Sequence, residues 1–158
     1  MHAPDWWEVA IRLFAAMLIA GVVGIDREVR QRPAGLRTHM LVGLGSAAFF
    51  LFAIKLAFEV AAAGPLDVVS TDPVRIASGI IGGIGFLGAG TIIQSRGNVQ
   101  GLTTAAGIWI AGAIGVSCGA GQFFLALMVM TLTVVCLLPI QLLENHLVAP
   151  VQRPSDDQ

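Results

Sequence analysis

Three groups of residues have types and spacings that could do chemistry. The first is GIGFLG within GIGFLGAG, Gly83 to Gly90, which fits the phosphate-cradling pattern G-x-G-x-x-G. That fingerprint needs a strand before it, a helix after it and an acid about 20 residues on to hold a ribose. Between Asp72 and Glu144 the chain has no Asp, Glu or Lys, so nothing there can hold one. The second group is the histidines. His2, His39 and His146 each lie on or near a terminus or loop without a second ligand at metal spacing, so no metal site and no cofactor are expected. H-E-x-x-H and C-x-x-C are absent and no serine has a histidine beside it, so no catalytic residue is assigned and the chain is not read as an enzyme. The third group is charged: Asp26 four residues before Arg30, and Asp72-Pro73 ahead of Arg75.

What must position these residues follows from composition. Of 158 residues, 56% are hydrophobic and only 12% charged, with 19 glycines, and the mean hydropathy is +0.81. That balance belongs to an integral membrane protein. A net charge of -1 gives no field to attract nucleic acid. Cys118 and Cys136 fall inside apolar runs and read as small buried hydrophobes. The N-terminus lacks a cationic region and carries Asp5 and Glu8, so it reads as a retained first span rather than a leader.

Crossing about 30 Å of hydrocarbon takes roughly 20 helical residues. Five segments come near that: about Trp7 to Ile25, Thr38 to Val60, Pro73 to Gln94, Leu102 to Cys118 and Gln122 to Leu143. The fourth is the shortest, and reads either as a span or as part of a re-entrant pair. The expected architecture is an all-α membrane protein, a bundle of about five transmembrane helices over residues 1–143, followed by a short tail, 144–158. Arg27, Arg30, Arg32 and Arg37 share one side with Arg96 and Arg153, which places the N-terminus outside and the C-terminus in the cytoplasm. Arg12 follows Glu8 by four residues and Lys55 precedes Glu59 by four, so each can pair along its helix and snorkel.

On a helical wheel the third segment gathers Ile76, Ile80, Ile84 and Leu87 on one strip. Gly79, Gly82, Gly83, Gly85 and Gly90, with Ser78 and Ala89, fill most of the rest. Apolar side chains gain little from meeting each other in lipid, so association relies on small faces such as Gly79-x-x-x-Gly83. This predicts a central third helix surrounded by protein. The fourth segment aligns Thr104, Gly107, Ala111 and Gly115 on one side, and the two are expected to pack together. Asp72 and Pro73 read as N-cap and first helical residue. Thr103 and Thr104 bond either their own helix backbone or a neighbouring helix.

In this order and spacing, GIDREVRQRPAGLRTHMLVGLGSAA, DPVRIASGIIGGIGFLGAGTII and VQGLTTAAGIWIAGAIGVSCGAG resemble the membrane domain of the MgtC/SapB family, from about Leu18 to Leu138. The resemblance implies a bacterial inner-membrane protein tied to magnesium limitation, stress adaptation and survival in host cells. It also implies a regulator of other membrane machines such as an ATP synthase or a transport ATPase. The family-implied contact residues are Asp26, Arg27, Arg37, Thr38, Asp72, Arg75, Thr103 and Thr104, and Gly85, Gly88, Gly90 and Gly115 also match recurrent motif positions. Asp26 stands where many members have Glu. The virulence-associated members carry a soluble C-terminal domain, whereas this chain ends about 15 residues past Leu143, so a short form is expected.

Two functions are in view. One is an interaction module that binds another membrane protein or itself, with the bilayer as its other partner. The alternative is an ion transporter or channel for Mg2+ or H+. A partly dehydrated dication needs converging oxygen ligands, usually carboxylates, and all ten acids sit near or beyond the interfaces.

Overall fold

The computed structural model describes residues 4–62, 73–95 and 98–137. Five helices and one small hairpin follow in order: α1 Trp6–Val29, α2 Leu36–Ala62, α3 Pro73–Ala89, β1 Ile93–Ser95, β2 Asn98–Gln100, α4 Leu102–Gly119 and α5 Phe123–Leu137. Three of the helices, α1, α2 and α4, are long and apolar enough to cross a membrane, and α3 and α5 are shorter apolar helices. Asp72, Arg96 and the 144–158 tail lie outside the described residues.

The helices sort their side chains by size rather than by polarity. On α1, Phe14, Leu18, Val22 and Ile25 point outward while Ala16, Ala20 and Val23 are fully buried. Lipid tails are as apolar as leucine, so bulk outside costs nothing and small residues inside let backbones approach. Gly43 of α2 shows how close: a Cβ there would come within 2.7 Å of Ala20 Cβ and 2.9 Å of the Ala16 carbonyl oxygen. The same core takes in Ala47 of α2, Ala111, Ile114 and Cys118 of α4, and Ala126 of α5.

The central helix is α4, which packs against all four others, whereas α3 packs against α2 and α4. This corrects the expected placing of the glycine-rich helix. Among the described residues, side chains built at Gly79, Gly82, Gly83 and Gly85 meet nothing within 4 Å. Among the described residues α3 has no second flank of protein; it touches α4 through Ile84, which sits where a side chain on Gly112 would be, and through Gly88 against Ala105. The aligned Gly107, Ala111 and Gly115 do lie in the interior, but Gly115 meets Gly43 and Ser46 of α2 rather than α3.

Helix ends are built by backbone geometry. α1 stops in a Schellman motif: Gln31, at φ 53, donates to Glu28 O at 3.0 Å and Arg32 donates to Arg27 O at 3.0 Å. α4 stops the same way, with Gly121 donating to Cys118 O at 2.9 Å and Gln122 to Ser117 O at 2.8 Å. The third segment does not run on to Gln94. Three bonds tighten its last turn, Gly90 to Phe86 O, Thr91 to Gly88 O and Ile92 to Ala89 O, each 3.0 Å, and Ile93–Ser95 then pairs antiparallel with Asn98–Gln100. Gly101 closes this hairpin at φ +90, and a side chain there would run into the Thr91 carbonyl.

At the opposite end, Arg12 pairs with Glu8 as the spacing predicts. It does not turn to the surface, however: Nη1 donates to Gly119 O at 2.7 Å, at the C-terminus of α4. Lys55 and Glu59 are both exposed, and the ion pairs among the described residues do not include them.

Candidate functional site

Where α1, α2 and α4 meet, three polar side chains are buried together. Arg27 is 2% exposed, His39 0% and Thr104 3%. Each is placed by its helix: Arg27 continues the buried Ala16, Ala20, Val23 stripe of α1, and His39 begins the buried stripe of α2 that continues through Gly43, Ser46 and Ala47. Thr104 heads the inward stripe of α4 with Gly107, Ala111 and Gly115.

Arg27 Nη2 donates to Thr104 Oγ1 at 3.0 Å. Thus Thr104 makes the contact across helices, the second of its two expected roles. The guanidinium Nε has no hydrogen-bond partner among the described residues, nor does His39 Nε2. The other ring nitrogen, His39 Nδ1, lies 2.9 Å from Gly35 O. A carbonyl only accepts, so Nδ1 carries the hydrogen and, in the neutral ring, Nε2 is left as an acceptor. It faces α4 where a side chain on Gly107 would approach within 3.1 Å.

The loop beneath is held by Glu28. Its Oε2 accepts from Leu36 N at 2.9 Å, and its carboxylate occupies the space a Gly35 side chain would take. An acid at the first amide of α2 satisfies an orphan donor and complements the helix dipole. Close packing completes the turn, since a Cβ on Gly24 would come within 2.7 Å of Leu36 Cα and 3.0 Å of His39 Cβ.

Of the residues singled out from sequence, the structure brings Arg27 and Thr104 together. Asp26 is occupied locally, bonding Arg30 Nε at 2.7 Å. Arg37 is exposed and Thr38 half-buried on the first turn of α2, and Thr103 is exposed beside Thr104. Arg75 is exposed on the first turn of α3, away from this junction. Asp72 lies outside the described residues. Gly90 meets only the last turn of its own helix.

His39 and Glu28 were missed. The signal for His39 was its spacing of four and seven from Gly43 and Ser46, which puts it on the inward stripe rather than in a loop. A guanidinium with a neutral partner among apolar helices is an electropositive anchor: it repels dications, and it ties α1 to α4 through the Thr104 hydroxyl.

Residues 13–146 match the MgtC family. The chain is 46% identical to the protein named "Putative magnesium transporter YhiD" of Escherichia coli K12, over 80% of this chain and 59% of that one. It is 44% identical to Protein MgtC of Salmonella typhimurium LT2, over 80% of this chain and 49% of that one. It is 45% identical to Protein MgtC of Brucella abortus, over 69% of this chain and 41% of that one. The chain therefore spans about half the length of the curated relatives it matches. No solved structure matches it. With the matched region running from α1 through the described end of α5, and so including the buried Arg27, His39 and Thr104 junction, this chain belongs to the MgtC family.

Proposed function

We propose that the chain is a non-enzymatic regulator of other membrane proteins, active under magnesium limitation, and that it works by helix-to-helix docking in the bacterial inner membrane. In this reading all five helices cross the bilayer, with the N-terminus outside and the C-terminus in the cytoplasm. The observation that carries it is the outward side of α3. Ser78, Gly82, Gly85 and Ala89 recur at spacings of four, three and four, all exposed, and among the described residues nothing lies within 4 Å of a side chain built at Gly82 or Gly85. Glycine in a helix costs about 1 kcal/mol relative to alanine. In lipid that cost is offset where another backbone comes close, and the described residues supply none at Gly82 and Gly85.

The alternative, an ion transporter, draws on the name of the Escherichia coli relative. Against it stands the sign of the interior charge. Arg27 and Arg12 are the charges that reach between the helices among the described residues, and cations disfavour a path for Mg2+.

Two measurements test the proposal. The full chain in liposomes is expected to pass no Mg2+ beyond protein-free vesicles; saturable flux would overturn the reading. Gly85→Leu, which fills open space, is expected to leave the protein folded and abundant but unable to support growth at low magnesium. Normal growth with that variant would remove the docking face from the account.

A further inference from the structure

An open apolar groove of about 670 Å³ runs between α2 and α3. It lies on the other side of α3 from the outward small stripe. Its α2 wall includes Leu41, Gly45 and Phe49, and its α3 wall Ile76, Gly83 and Leu87. Side chains built at Gly45 and Gly83 meet nothing within 4 Å, so the missing side chains are what keep the groove wide. The hydroxyl in its lining, on Ser46, already donates to Val42 O at 2.7 Å. The side chains of this surface offer an ion or a sugar nothing; a hydrocarbon chain fits it.

The length agrees. From Ile76 to Leu87 is roughly 16 Å of helix at 1.5 Å per residue, and half of a hydrocarbon core of about 30 Å is ~15 Å. The groove therefore has the length of one acyl chain from one leaflet.

The charge agrees at one end. The Leu41 and Leu87 end of the groove is the end of the bundle where Arg27 bonds Thr104 and Gly88 packs against Ala105. Thr38 shares the stripe of Leu41, Val42 and Gly45, at spacings of three, four and seven, and exposed Arg37 precedes it. Residues 26–37 hold four arginines against two acids, and both acids are engaged, Asp26 with Arg30 and Glu28 with the Leu36 amide. The ion pairs among the described residues do not involve Arg37. A guanidinium and a hydroxyl at the mouth of a hydrocarbon slot are the donors a phosphodiester uses.

The geometry points to a phospholipid site: one acyl chain of an anionic phospholipid lies in the α2/α3 groove, with its phosphate at Arg37 and Thr38. This goes beyond regulation by docking, because it needs no partner protein and uses the opposite side of α3.

The test is native mass spectrometry of the full chain in detergent with added phosphatidylglycerol or phosphatidylcholine. One tightly held phosphatidylglycerol is expected, preferred over phosphatidylcholine. Arg37→Gln is expected to lower that preference about fivefold, the factor for one basic residue at a lipid surface. Gly83→Leu, which fills the groove without touching Arg37, is expected to abolish retention of either lipid while circular dichroism stays unchanged. The site is overturned if Gly83→Leu binds phosphatidylglycerol normally, if free glycerol phosphate displaces the lipid completely, or if the groove instead holds a second copy, seen as a dimer that Gly83→Leu splits.

Discussion

Arg27 and Thr104 stand 77 residues apart in the chain and share a buried hydrogen bond of 3.0 Å. It ties the end of the first helix to the start of the fourth. The threonine hydroxyl is the acceptor the guanidinium has there, which sets the first expectation. Thr104→Val keeps the shape and removes the acceptor. Hydrogen bonds to charged groups are worth ~1.5–3 kcal/mol, so the melting temperature in detergent should fall by several degrees, while Thr104→Ser should retain most of it. A Thr104→Val protein as stable as the parent would show that the bond carries no weight.

Two glycines of opposite surroundings should respond oppositely to the same added methyl. Gly115 abuts the Gly43 carbonyl and Ser46 of α2, with a built Cβ 2.7 Å from Ser46 Cβ, so Gly115→Ala must push two backbones apart and destabilise. Gly82 faces open space, and Gly82→Ala should stabilise by up to ~1 kcal/mol through helix propensity alone. Denaturation of both variants side by side decides the matter.

Arg12 holds the C-terminus of α4 through the Gly119 carbonyl at 2.7 Å. Replacing it by Gln should loosen that end and leave the Arg27 end as it is. Hydrogen exchange is the readout: amides of Ala120 to Gln122 should exchange faster, and those of Thr104 to Ile108 unchanged. Uniform acceleration along α4 would instead mean that the helix responds as one piece.

Gly101 is required twice, by its positive φ and by the Thr91 carbonyl packed against its Cα. Gly101→Asn satisfies the first demand and violates the second, so it should disturb the hairpin almost as much as Gly101→Ala. A two-stranded ribbon this short has little stability of its own. Tryptic cleavage after Arg96 should therefore accelerate in both variants; protection in the Asn variant would mean that only the dihedral matters.

Much of this could be read from the chain, and what could not has a physical cause. The five helices came from composition and length, and Arg27 and Thr104, which the structure brings together, were singled out by motif. The partner of each helix did not. In water an apolar stripe marks the inside, but in lipid both sides are apolar and only residue size distinguishes them. Counting small residues put α3 at the centre, because its glycines are the most numerous. Yet Gly79, Gly82, Gly83 and Gly85 have no neighbour within 4 Å among the described residues, and the buried positions of α1 and α2 include Ala16, Ala20, Ala47 and Ala53 beside Gly21, Gly24 and Gly43. The better signal was alignment across helices, Gly43 with Ser46 and Ala47 facing Gly115 and Gly119, and that needs two segments read together. His39 escaped for a similar reason: its burial depends on Gly24 and Gly107, residues of two other helices.

The two arginine contacts have one mechanical result. Arg12 and Arg27 lie fifteen residues apart on α1, and Gly119 and Thr104 lie fifteen apart on α4, which runs the other way. The pair is a ladder with two rungs at matched heights, and neither rail can slide or roll without snapping one. Any rearrangement of this bundle that keeps both rungs must leave α1 and α4 moving as one stiff frame.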